Sequence, residues 1–127
     1  MRRKRPEQTL QIAVASFLRA ALRAPTYWTA IDHGVGKLGV VEATLRKKRG
    51  VKAGIADMLV IQRHGDRMRP MVVWIELKAD KGSQSLGQKM FQAAVEENGC
   101  IYFVARSVDE VSGFLRGVGI PLHARLS

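Results

Sequence analysis

The chain is poor in cysteine, in histidine, in aromatic rings and in acids. Cys100 is its one cysteine among 127 residues, so no internal disulfide can form, and this usage fits a reducing compartment. The three histidines, His33, His64 and His123, are scattered, and with a lone thiol they offer no zinc-ligand spacing. No apolar stretch approaches the roughly 20 residues needed to cross a bilayer. The basic start Met1-Arg2-Arg3-Lys4-Arg5 runs into Pro6-Glu7-Gln8 rather than an apolar segment, unlike a signal peptide. Gly34-Val35-Gly36 lacks the partners that would make it a phosphate loop. These absences predict a soluble, cytoplasmic protein.

The shortage of acids is the first functional pointer. Eleven Asp and Glu stand against 21 Lys and Arg, giving a formal net charge of +10 and a pI near 10.5. Such a field attracts polyanions, and displaced counterions reward contact with phosphates. A basic surface kept for solubility or an anionic membrane partner are the alternatives; nucleic acid is the stronger expectation. Hydrophobic residues make up 46%, enough for a packed core, and 127 residues suit a single domain over 1–127.

Periodicity along the chain predicts the elements. Leu10, Val14, Phe17, Leu18 and Leu22 recur at helical spacing between Glu7 and Arg23, with Pro6 at the first turn and Pro25 after the end. Tyr27 to Ile31 reads as an edge strand, and Gly39 to Arg49 as a helix stopped by Gly50. Asp57 to Gln62 and Val72 to Leu77 are short apolar runs around a turn at His64-Gly65-Asp66-Arg67, hence a hairpin. Ser85 to Asn98 predicts a helix, Cys100 to Ala105 a strand, and Ser107-Val108-Asp109-Glu110 a capping box opening a last helix. Residues 1–5 form a basic arm and 117–127 a tail. The order implies an α/β domain with central strands covered on both faces.

The hairpin carries charges where a buried strand pair should have none: Asp57 at one end, Glu76 and Lys78 at the other. A turn centred between Asp66 and Arg67 sets Gln62 opposite Met71, Leu59 opposite Trp74 and Asp57 opposite Glu76. Opposed residues share a face with Cβ atoms about 4.5–5.5 Å apart. Lys78, two beyond Glu76, points the same way. Two carboxylates that close need a proton or a cation between them. Hard oxygen ligands suit Mg²⁺ or Mn²⁺, ions that polarise a phosphate and lower the pKa of an attacking water. Lys78 would orient that water or neutralise the phosphorane. The duller reading is a salt bridge from Lys78 to either acid at the solvent edge of the sheet.

The wider pattern resembles the VRR-NUC family of the PD-(D/E)XK nuclease superfamily, in its small stand-alone phage and bacterial form. Gly54-Ile55-Ala56-Asp57, a strand, then Glu76-Leu77-Lys78 carry the likeness. Glu7 on the first helix, Ala43, Leu45 and Gly50, then Ser85, Gln88, Phe91 and Gly99 extend it from about Glu7 to Val104. Ala56 stands where that family usually has proline, which loses rigidity but no ligand. The resemblance implies a restriction-endonuclease-like core (helix, three-stranded meander, helix, strand) with a mixed central sheet flanked by helices. It implies metal ligation by Asp57, Glu76 and the Leu77 carbonyl, with Glu7 in support. Lys78 would be the catalytic lysine, and Gln88 the polar residue reaching in from the next helix. Gln88 also stands three after Ser85, the spacing of a capping box, and Glu7 is equally a first-turn acid favoured by the helix dipole.

The function implied is a metal-dependent, structure-selective DNA endonuclease, with a Holliday-junction resolvase among the candidates. Arg2, Arg3, Lys4 and Arg5, with Arg46, Lys47, Lys48 and Arg49, would hold phosphates, which position without specifying sequence. A branched substrate needs two active sites, which a homodimer in a bacterial or phage-infected cell would supply. A non-catalytic nucleic-acid-binding module and a small basic RNA-binding structural protein are the competing classes. His33, in a Gly-rich loop, is a candidate to touch substrate or assist the site, with an exposed loop residue the stronger reading; Trp28 and Trp74 read as core rather than base-stacking platforms.

Overall fold

Pro6 and Glu7 open the first helix for physical reasons: proline has no amide to leave unpaired there, and the carboxylate complements the helix dipole. In the computed structural model this helix, α1, spans Arg5–Ala21. The structure describes residues 5–33, 39–63 and 69–123. Arg2, Arg3 and Lys4, the Arg5 side chain, Gly34-Val35-Gly36, His64 and the Asp66-Arg67 turn lie outside the described residues. After α1 come β1 (Tyr27–Ala30), α2 (Val40–Lys48), β2 (Met58–Arg63), β3 (Pro70–Leu77), α3 (Leu86–Glu97), β4 (Ile101–Ala105) and α4 (Val108–Gly117).

The four strands form one mixed sheet in the order β1-β2-β3-β4. β1 to β3 are an antiparallel meander, while β4 joins β3 in parallel after the α3 crossover. The hairpin register is the one expected: Gln62 pairs with Met71 and Leu59 with Trp74. β3 starts two residues before the expected Val72, because Pro70 still pairs with Arg63 at the mouth of the ladder. Proline is tolerated at that place since a strand's first residue can forgo its amide bond.

Alternation along the hairpin separates two faces. Met58, Val60, Val73 and Ile75 are fully buried and meet Val14 and Leu18 of α1 and Val111 and Leu115 of α4. Burying each such side chain contributes roughly 1.5–3 kcal/mol. Leu59, Trp74 and Glu76 fall on the other face, where Phe91 of α3 meets Trp74 edge-on at 5.0 Å. Trp28 is half-buried at the sheet's edge, with Arg19 of α1 over its ring at 5.9 Å. Ile120 is buried, and the His123 amide donates to the Ala21 carbonyl, so the chain packs on the domain as far as 123.

The capping residues behave almost as read. Ser85 and Gln88 form the full reciprocal box at the start of α3. Ser107 caps α4, but the Glu110 carboxylate accepts the Arg106 amide instead of the Ser107 amide. No helix among the described residues is long and apolar enough to cross a membrane.

Candidate active site

Asp57 stands one residue before β2, past the last regular pair, Met58 with Ile75. Its backbone is fixed from both sides: its amide donates to the Ile75 carbonyl at 3.0 Å, and its carbonyl accepts the Ile31 amide at 2.8 Å. The Leu77 amide donates to Asp57 Oδ2 at 2.8 Å. The side chain thus takes over as acceptor where the ladder stops, which locks the carboxylate against the C-terminal end of β3. A direct Asp57–Glu76 pairing in continued register is therefore replaced by an offset, yet the two carboxylates remain neighbours.

Glu76 is 2% exposed, deep for a carboxyl group. Gln88 Nε2 donates to its Oε2 at 2.9 Å, and Lys78 Nζ lies 3.7 Å from the same oxygen. Its other oxygen, Oε1, is buried without a hydrogen-bond partner among the described residues. The Lys78–Glu76 contact named as the duller alternative is therefore present, but buried rather than at a solvent edge. Gln88 fulfils both of its readings at once, capping α3 with its carbonyl oxygen and holding Glu76 with its amide.

Lys78 extends the β3–β4 ladder, its amide donating to the Ala105 carbonyl at 3.0 Å. A tight turn follows, with the Gly82 amide donating to Ala79. A Cβ on Gly82 would stand 3.5 Å from Lys78 Cδ and 3.6 Å from Glu7 Oε1, so the turn brings the lysine stem and the α1 carboxylate to one spot. Glu7 adds its negative field to Glu76.

His33 is the residue that sequence reasoning undervalued. Its Nε2 lies 3.4 Å from Asp57 Oδ1 although nearly half of the side chain is exposed. Nothing local in the sequence marks this contact, because it depends on how the segment after β1 passes the start of β2. Arg46, Lys47 and Lys48 form the last turn of α2, with Arg49 as its C-cap. Arg46 Nη2 approaches the His33 carbonyl at 3.5 Å, which ties the basic stretch to the rim of the site.

Burial, then the adjacent Asp57 charge, pushes the Glu76 carboxyl up from 4.5 to about 8, against the pull of Lys78. The folded chain therefore keeps a proton that the unfolded chain releases, and metal-free stability falls as pH rises from 4.5 to about 8. Below that window both states are protonated, and above it both are ionised. The slope from this group is at most about 1.4 kcal/mol per pH unit. Urea midpoints followed across the window are expected to fall in the wild type and to lose this component in Glu76→Gln. Equal slopes in the two proteins would show that Glu76 is ionised throughout.

Among the described residues no three His, Cys, Asp or Glu side chains cluster closely enough to hold a metal by themselves. The donor set that does form, two carboxylates with one orphan buried oxygen, fits a hard divalent cation that completes its shell with backbone oxygen, water or substrate. A cation there would take the place of the proton that burial and then the Asp57 charge now hold on Glu76.

No family model matches the chain. No curated relative matches it either. A solved structure described as a VRR_NUC domain protein superposes on it with a TM-score of 0.70, covering 88% of this chain and 86% of that one at 21% identity. At that identity the likeness is one of fold. It agrees with the architecture seen here, a mixed four-stranded sheet flanked by helices.

Proposed function

We propose that the protein is a divalent-metal-dependent nuclease that hydrolyses DNA phosphodiesters at the cluster of Asp57, Glu76 and Lys78. The observation that carries this reading is the buried Glu76, held by Gln88 and Lys78 beside Asp57 while one of its oxygens has no partner. Buried side-chain oxygens that accept no hydrogen bond are rare in folded proteins. The fold shared with a structure described as a VRR_NUC domain protein supports the same reading.

Asp57 and Glu76 would hold Mg²⁺ or Mn²⁺, with the Leu77 carbonyl as a further oxygen and Glu7 in support from α1. When bound, such an ion supplies charge stabilisation at the phosphate and a more acidic water. The chain's own groups do the rest. The Leu77 amide and Gln88 fix the orientation of the two carboxylates before substrate arrives. The Lys78 ammonium hydrogen-bonds the attacking water or the phosphate oxygen on which charge builds, as a preorganised donor in a site shielded from solvent. Arg46, Lys47, Lys48 and Arg49 face the backbone phosphates, joined by the basic arm Arg2 to Arg5.

Selection of branched DNA by shape, up to Holliday-junction resolution, belongs to the same proposal. It requires a homodimer with two-fold symmetry. The exposed apolar side chains Val40, Val41 and Leu45 on α2, a helix that buries none of its residues, support such a contact. Cleavage of a labelled four-way junction, a linear duplex and a single strand, with Mg²⁺, Mn²⁺ or EDTA, tests the reading. Metal-dependent cutting, strongest on the junction, is expected. Cutting of the linear controls alone would remove the junction preference, and tight binding without cutting in either metal would leave a nucleic-acid-binding module.

A further inference from the structure

Two recesses beside the carboxylate cluster share one wall, formed by Lys47 with Val51, Lys52 and Ala53 after α2. The first, of about 420 Å³, also takes in His33, Arg46 and Gly54, so it borders Asp57 and is cationic. The second, of about 490 Å³, lies against α3 and adds Gly87, Met90, Phe91 and Ala94, so beyond the shared lysines it is apolar. Among the described residues neither lining contains an Asp or Glu.

The two halves are held together by a close backbone approach. A Cβ on Gly54 would lie 2.3 Å from the Gly87 carbonyl carbon. The residue after Gly87 is Gln88, which holds Glu76. The seam between the recesses, where Gly54 of the first meets Gly87 of the second, is therefore a direct neighbour of the catalytic cluster. Phe91 is fixed edge-on by Trp74, whereas Met90 is 64% exposed and free to adapt to a ligand's shape.

A nucleotide has the same two halves, an anionic phosphate and a flat, largely apolar base. In duplex DNA the faces of the base are covered by its neighbours, so only an unpaired base can use an apolar groove. We infer that these recesses form a subsite for one unpaired nucleotide, its phosphate on Arg46, Lys47 and Lys52 and its base against Met90, Phe91 and Ala94. The inference rests on the nucleic-acid substrate proposed above and adds a condition to it: among branched DNAs, a junction included, the one cut fastest carries an unpaired nucleotide next to the cut. Pairing of cations with an apolar and aromatic surface is how single strands are bound without sequence preference.

Binding in EDTA separates this subsite from catalysis. The full chain is titrated with a DNA hairpin carrying one unpaired 2-aminopurine, and with a fully paired hairpin of the same length. Wild type is expected to bind the first about ten-fold more tightly and to shield the 2-aminopurine from acrylamide. Ala94→Leu, which fills the groove while keeping a strong helix former, is expected to erase both the preference and the shielding. Met90→Ser, which removes a wall instead, is expected to weaken both. Equal affinity for the two hairpins, or an unpaired base left open to acrylamide, would overturn the subsite. A shielded base in a protein that cuts nothing with Mg²⁺ or Mn²⁺ would keep the subsite and sink the nuclease reading.

Discussion

Lys78→Met is expected to lower single-turnover DNA cleavage by roughly 10²–10³-fold, the usual loss when one preorganised donor to a developing oxyanion is removed. Methionine suits the test because it keeps most of the lysine's length at a position only 9% exposed, so the stem can stay packed beside Gly82. The substitution also removes the cation 3.7 Å from Glu76, which pushes that carboxyl further up and changes the charge that any metal bound there would meet. Raising Mn²⁺ until the rate saturates separates the two effects. A defect of metal affinity recovers at saturation, and a defect of transition-state stabilisation remains. The second outcome is expected. A variant within about three-fold of wild type at saturating Mn²⁺, well inside the loss expected for such a donor, would remove Lys78 from the chemistry and leave it as a partner for Glu76.

Gly54→Ala is expected to destabilise the protein by roughly 3 kcal/mol or more, the range reached when backbone strain and overpacking combine. Gly54 sits at φ +86°, where any Cβ is strained, and its Cβ would come within 2.3 Å of the Gly87 carbonyl and 2.6 Å of the Gln88 nitrogen. Those are backbone atoms in the first turn of α3, so no side chain can swing aside. The loop must lift or the helix must shift, and either movement loosens the Gln88 hydrogen bond to Glu76. Gly50 supplies the internal control. Its φ is +89° but no atom lies within 4 Å of its Cβ position, so alanine there costs only about 1 kcal/mol. Urea unfolding of both variants measures the difference. Equal losses would mean that the Gly54–Gly87 approach is not held in solution.

These two residues differ in how far the sequence reveals them. Lys78 is legible because a lysine two places after a glutamate, at the end of an apolar run, breaks the expected pattern and shares a strand face with it. Gly54 could be read as part of a motif, but its partner Gly87 could not, since the two meet only when the α3 crossover returns across the hairpin. The contact of His33 with Asp57 is illegible for the same reason. The loop of His33 carries no periodic signal, and the contact is made across the start of β2. The exposure of α2 was equally hidden: Val40, Val41 and Leu45 give it a helical apolar pattern, yet it buries none of its residues.

By itself the sequence determined the order of the elements, the Ser85–Gln88 cap and the placing of Glu76 and Lys78 on one strand face. All of these follow from interactions that repeat at short range: alternation along strands, helical spacing and caps within one turn. The hairpin register that brings Asp57 to them depended on a turn centre that the loop length does not fix. Only the tertiary structure decided how deep Glu76 lies, that the Leu77 amide turns to the Asp57 side chain, and that Gln88 reaches across to a carboxylate on β3. It also decided that the basic end of α2 borders an apolar groove on α3. Each of these depends on the distance between faces that meet only after the chain has folded back, and no local pattern encodes that distance.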